Sequence, residues 1–276
     1  MKLMDIDWAE QFRTTRRSFD GNVPGSNEAK AHWDSKASSF AHKPKRSDYI
    51  HQLTEMLALE EGDVLFDMGC GSGTLAIPVA KAGHDVIAVD FSDGMLAELE
   101  RVAEEEGVAD RITTFQRSWQ QDWDGLPMGD VAVSSRSFVT DDLADGIAKL
   151  EGQARKRAVL TCGAGDLPYR DAKVLDAMGR EDAFMPPIEL ATIANYLWMS
   201  GRLPRIDYIA YPGVWHKTTK DGLREAIRSA HSPKDAQEVA LLDKFLGAHM
   251  VFDEKQGWWT LDYPRDDRWA VITWDV

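Results

Sequence analysis

Cysteine is nearly absent: Cys70 and Cys162 are the two in 276 residues. Two thiols that far apart form no disulfide framework and cannot supply a four-cysteine zinc site. Reduced thiols and a cytoplasmic location are expected. No apolar run approaches the roughly 18 residues that a bilayer span needs. The N-terminal "MKLMDIDWAEQF" has acids where a secretory signal would keep an uninterrupted apolar segment. Positive charge is in deficit. The net charge of -14 at pH 7 disfavours non-specific attraction to nucleic-acid phosphates and anionic membranes. The small basic groups Arg13, Arg16 and Arg17, and Lys43, Lys45 and Arg46, are read as solvated faces. Internal repeats and low-complexity tracts are missing too. What remains, 43% hydrophobic and 28% charged, is the composition of a soluble globular chain. No nucleic-acid, membrane or metal partner is expected.

Helix-like and strand-like segments alternate between residues 47 and 165. Ser47 is placed to cap a helix with Tyr49, Ile50, Leu53, Met56 and Leu57 on one face. Short apolar strands are expected at Val64–Phe66, Asp85–Val89, Ile112–Phe115, Val131–Val133 and Ala158–Leu160. A helix capped by Ser92 carries Met95, Leu99 and Val102 and stops at Gly107. This alternation predicts an α/β fold with a Rossmann-like, seven-stranded, mostly parallel sheet and helices on both faces. Residues 1–46 are expected to form a helical lid and 47–165 the cofactor-binding core. Residues 166–276 are expected to complete the sheet with helical insertions that contribute to the acceptor site. Helices are expected over Pro187–Ser200 and over Pro233–Met250, with Ser232 as cap of the latter. Tryptophans crowd the last stretch, "WWTLDYPRDDRWAVITW", which reads as a homodimer seam or a buried strand edge.

The most informative stretch is "VLFDMGCGSGTLAIPVA", Val64 to Ala80. Glycines between a strand and a helix let a ligand approach the backbone closely. A dinucleotide fingerprint would be G-x-G-x-x-G. Here Gly69 and Gly71 are followed by Thr74 at the third position, and the third glycine is Gly73. That weakens an NAD-dependent oxidoreductase reading and leaves it as an alternative.

"DMGCGSG", Asp67 to Gly73, resembles the first motif of class I S-adenosylmethionine-dependent methyltransferases, and the resemblance extends over residues 33 to 165. Asp90 ends the second strand where that family has its ribose-binding acid, and "DFSDGMLAELE" follows. The resemblance implies S-adenosyl-L-methionine as cofactor, S-adenosyl-L-homocysteine as product, and methyl transfer to a small-molecule acceptor. A non-catalytic S-adenosylmethionine-binding protein is a further alternative. In the family, Asp67 and the loop Gly69, Cys70, Gly71 and Gly73 would face the methionine and ribose. Asp90 would hold the ribose, and Phe91, Ser92 and Met95 would border the adenine. Where the family commonly places an acid after the third strand, this chain has Ser118 and then Trp119; these are expected to meet the adenine by hydroxyl and by stacking.

After the fourth strand the chain has "SSRSF", Ser134 to Phe138, with Ser135 counted in the cofactor site. The family's amide and adenine N-methyltransferases carry an Asn or Asp, two prolines and an aromatic there, so those acceptors are disfavoured. Asp141 and Asp142 are read as a helix start after Thr140 rather than a magnesium site. "AHWDSKASSF" at Ala31 to Phe40 resembles a segment that crosses the cofactor in small-molecule members, making Trp33 and Phe40 candidates for closing the site. Tyr49, Arg136, Tyr169, Tyr196, Trp198 and His216 are the remaining acceptor candidates. No residue is assigned as the catalytic base.

Overall fold

Strand β1 (Val64–Met68) and strand β2 (Asp85–Asp90) are apolar almost without a break, because both of their faces are covered. They pair in parallel, Val64 opposite Asp85 through Met68 opposite Val89. Strand β3 (Ile112–Gln116) extends the sheet beyond β2. On the other side of β1 lie β4 (Gly129–Ser135) and then β5 (Ala154–Gly163), all parallel. The later strands are β6 (Arg205–Gly213), β7 (His216–Lys217), β8 (Met250–Asp253), β9 (Trp258–Leu261) and β10 (Arg265–Asp275). The main sheet has seven strands in the order β3-β2-β1-β4-β5-β10-β6, as the alternation predicts.

The computed structural model describes residues 5–15, 25–41, 48–164, 171–180 and 187–276; Ser47 and Tyr169 lie outside the described residues, as does the side chain of Phe40. The helices are α1 (Trp8–Thr15), α2 (Asn27–Ala41), α3 (Asp48–Leu57), α4 (Ala76–Lys81) and α5 (Asp93–Glu105), followed by α6 (Leu143–Gly152), α7 (Ala172–Ala177), α8 (Ile188–Met199), α9 (Lys220–His231) and α10 (Ala236–His249). None of the described helices is long and apolar enough to cross a membrane.

Local chemistry explains most of the boundaries. The Ser92 hydroxyl accepts the Met95 amide at 3.0 Å and starts α5, whose apolar stripe of Met95, Leu96, Leu99, Val102 and Ala103 is buried. Asp142 caps α6 in the same way. Ser232 does not cap α10. It ends α9 in a left-handed conformation, φ 44°, and Asp235 caps α10 by accepting the Glu238 amide. Competition between the two helices for one short linker decides this: a left-handed residue closes the helix before it, and the aspartate three residues on has the free carboxylate.

The chain divides into two compact units. One comprises Met1–Cys162, Ile188–Ile209 and Ala270–Val276; the other comprises Gly163–Pro187 and Ala210–Trp269. The second unit has its own core, formed by Val174, Met178, Leu223, Ile227, Leu242 and Leu246. It also holds an antiparallel three-stranded sheet in the order β7-β9-β8. The C-terminal tryptophans are shared out: Trp258 and Trp259 lie on β9, and Trp269 and Trp274 on β10. Trp274 is buried and donates its indole N–H to Glu151 at 2.8 Å.

Candidate active site

The strand order reverses beside β1. Chain segments from β1 to β3 progress one way along the sheet, and β4 and β5 progress the other. Such a switch point opens a crevice at the carboxyl ends of the strands. β1 ends at Met68, and residues 69–73 form the turn that follows it there.

The turn is held by the end of β2. The amides of Gly69 and Cys70 both donate to the Val89 carbonyl, at 2.7 and 3.1 Å. Gly69, Gly71 and Gly73 all have positive φ, at 76°, 53° and 86°. Their reasons for being glycine differ. A Cβ on Gly69 would lie 2.3 Å from Ser137 Cβ, and one on Gly73 would lie 2.8 Å from Leu99 Cδ1. A Cβ on Gly71 would meet nothing within 4 Å. Gly69 and Gly73 are therefore packed against protein, whereas the bare side of Gly71 faces open space at the crevice.

Asp90 ties the turn to α5. Its Oδ2 accepts the Gly71 amide and its Oδ1 accepts the Ser92 amide, both at 2.9 Å. Each oxygen keeps a further lone pair for a ligand hydroxyl. Burial pushes the Asp90 carboxyl above its usual range, against the pull of the Ser92, Gly71 and Phe91 amides; the Asp34 charge adds to the rise.

Asp67 is almost fully buried, and its Oδ2 has no hydrogen-bond partner. Burial, with the charge of Asp90 second, lifts its pKa to about 7. A buried carboxylate oxygen without a partner is costly. It is relieved by a proton or by a ligand cation such as an ammonium. Cys70 is buried in the same loop, and burial followed by the Asp90 and Asp67 charges lifts its thiol well above its usual pKa. That thiol stays protonated and is no nucleophile.

The edge after β4 closes the other side. Ser137 Oγ donates to the Met68 carbonyl at 2.6 Å and lies 3.0 Å from Ser134 Oγ. Tyr49, buried in α3, sets its hydroxyl 2.9 Å from Ser135 Oγ and 2.8 Å from Thr161 Oγ1. Arg136 follows, with its guanidinium 4.2 Å above the Tyr49 ring. Trp119 is buried, donates its indole N–H to the Ser137 carbonyl at 2.7 Å, and has Trp123 and Phe138 rings 4.9 Å from its own. Ser118 is half-buried, and its amide donates to Gln121 Oε1. Phe91 is half-buried and Met95 buried beside the start of α5.

Helix α2 reaches the same corner. Asp34 Oδ1 accepts the Ser92 hydroxyl at 2.5 Å and the Gly94 amide at 3.3 Å, and Lys30 pairs with both Asp34 and Asp93. Trp33 is half-exposed on this helix. Other candidates lie elsewhere. Tyr196 and Trp198 lie on α8, Tyr196 within electrostatic reach of Arg202 and Glu151. His216 is exposed on β7 in the second unit, its ring 4.7 Å from that of Trp258. Sequence reasoning missed Ser137, Thr161 and Asp34. No spacing rule selects them, because each acts through a contact distant in sequence.

The sequence profile of the methyltransferase domain family matches residues 65–151, the stretch that holds this turn. An uncharacterized protein of Haemophilus influenzae is 31% identical over the full chain and 99% of its own length. The chloroplast magnesium protoporphyrin IX methyltransferase of Arabidopsis thaliana is 34% identical over 44% of this chain and 39% of its own. A Geobacter sulfurreducens S-adenosylmethionine-dependent methyltransferase, solved with S-adenosyl-L-homocysteine, shares the fold. It has a TM-score of 0.50 and 18% identity, over 87% of this chain and 96% of its own. The chain belongs to the class I S-adenosylmethionine-dependent methyltransferases, and S-adenosylmethionine is its cofactor.

Proposed function

We propose that the protein methylates a small-molecule acceptor. The observation that carries this reading is α2, fixed by Asp34 to Ser92 and Gly94 beside the crevice where Asp90 lies. A helix fastened there narrows the approach and suits an acceptor small enough to be enclosed. The net charge of -14 adds to this, since it works against a phosphate backbone as partner.

In this reading Asp67 takes the cofactor's ammonium, the open side of Gly71 admits its sugar and methionine portions, and Asp90 accepts from the ribose hydroxyls. Phe91 and Met95 flank the adenine, with Ser118 and Trp119 at its far edge. The residues present fit these roles. The unpartnered Asp67 oxygen asks for a cation, and the space at Gly71 would be filled by any side chain. When bound, the cofactor supplies a methyl group already activated by a positively charged sulfur. The chain's own work is to hold an acceptor lone pair about 3 Å from that group and in line with it, and to exclude water. A base is needed only where the acceptor must first lose a proton.

The test is incubation with methyl-labelled S-adenosylmethionine and a cell extract divided by ultrafiltration. Label is expected in the small-molecule fraction. Label confined to protein or RNA would overturn the acceptor class and leave the family assignment standing.

A further inference from the structure

Two carboxyl groups are buried at the ends of β1 and β2, and their surroundings differ. Asp90 takes an amide on each oxygen, from Gly71 and from Ser92, both at 2.9 Å. Asp67 is buried at least as deeply, and its Oδ2 takes none. Its neighbours across the ladder are Ala88 on β2 and Val133 on β4, which carry no polar side chain. Ser72, buried in the turn that follows, leaves its own hydroxyl unpartnered and so does not serve Asp67. The titratable groups that face Asp67 are Asp90 on β2 and the Cys70 thiol in its own turn, both acids. Among the described residues no cation offsets them.

Two desolvated carboxylates close together do not both keep their charge cheaply. The two amides favour the charge on Asp90, so the shared proton falls to Asp67. Burial and the Asp90 charge hold it there up to a pH of about 7. A ligand ammonium reverses that balance, because it brings to Asp67 both the missing donors and the opposite charge.

We propose that Asp67 gives up a proton to solvent when the cofactor's ammonium settles against it, so that cofactor binding is coupled to proton release and weakens in acid. The carboxyl O–H bond breaks, its electron pair stays on the Asp67 oxygen, and no bond of the cofactor changes. This rests on the reading above in which Asp67 takes the ammonium, and it adds a pH control of that same site.

The test is calorimetry of S-adenosyl-L-homocysteine on the full chain at pH 6, in phosphate and in imidazole, two buffers of different ionisation enthalpy. The difference in heat counts the protons, and about one is expected to be released. Affinity should rise roughly eightfold from about pH 5.5 to about pH 6.5 and level off above about pH 8. Asp67→Asn should bind with no proton released and no pH dependence, at the weak affinity the wild type has in acid. 5′-Methylthioadenosine, which keeps the adenosine and lacks the ammonium, should bind the wild type without releasing a proton. The proposal is overturned if the wild type releases none, if release persists in Asp67→Asn, or if 5′-methylthioadenosine releases as much. A wild type that releases none while Asp67→Asn binds weakly leaves the ammonium reading standing. Asp67→Asn binding as tightly as the wild type at pH 8 removes that reading itself.

Discussion

Gly71 and Gly73 are two residues apart and should fail in different ways. Alanine at Gly73 places its Cβ 2.8 Å from Leu99 and 2.9 Å from Ile77 in a backbone with φ 86°. Overpacking and backbone strain together cost about 1–3 kcal/mol or more, so Gly73→Ala should lower Tm clearly. Gly71→Ala meets no protein atom within 4 Å and carries only the strain of its positive φ, roughly 1 kcal/mol. Its methyl group enters the open space beside the turn, so on the proposed reading its main effect should be lost S-adenosyl-L-homocysteine affinity. Thermal melts and calorimetry on the two variants check the pair; equal Tm losses with equal affinities would contradict it. Asp67 gives a pH signature. Its folded pKa is raised from 3.8 to about 7, by burial first and by Asp90 second. The folded protein then holds this proton more tightly than the unfolded chain does. The contribution favours folding at low pH and is lost as pH climbs from about 4 to about 7. Asp67→Asn should flatten that part of the unliganded stability curve, measured by denaturant unfolding across the window. An unchanged slope would remove Asp67 from the account.

At the scale of elements, α2 and α5 are joined by an acid at a helix start. Burial works against the Asp34 charge, yet the Ser92 hydroxyl, Lys30 and the Gly94 amide outweigh it and its pKa is lowered. Because Ser92 also donates its amide to Asp90, the helix and Asp90 share one residue. Asp34→Ala should free α2, at a cost of roughly 1 kcal/mol, and speed hydrogen exchange of its amides. Bound S-adenosyl-L-homocysteine should slow the same amides in the wild type. Exchange indifferent to both changes would leave α2 as ordinary packing. This contact also marks where sequence reading stops. The strand–turn–strand of residues 64–90 and the Ser92 cap are legible because apolar runs, glycines and caps act within a few residues. Asp34 to Ser92 spans 58 positions, and nothing in either neighbourhood announces it. The three-stranded sheet was hidden for a related reason. β7 is two residues long, and β8 follows α10 directly, so neither shows a period. Ser232 was expected to start α10, and the left-handed end of α9 that it forms instead leaves the cap to Asp235.

At the scale of the whole molecule, two compact units carry one family motif, which lies in the unit that holds β1 to β4. Composition bounded that outcome without specifying it: the scarcity of cysteine spoke against a disulfide framework and a four-cysteine zinc site, and the excess of acid disfavoured nucleic acid as a partner, before any motif was considered. The central claim is that Asp90 and the glycine turn together form an S-adenosylmethionine site. Calorimetry of S-adenosyl-L-homocysteine and of NAD on the wild type and on Asp90→Ala tests it most directly. The account predicts that S-adenosyl-L-homocysteine binds and NAD does not. It also predicts that Asp90→Ala weakens the first about tenfold to a hundredfold, the loss expected for hydrogen bonds to a charged acceptor. NAD bound tightly with no response to S-adenosyl-L-homocysteine, or an Asp90→Ala variant with lowered Tm and full affinity, would contradict it.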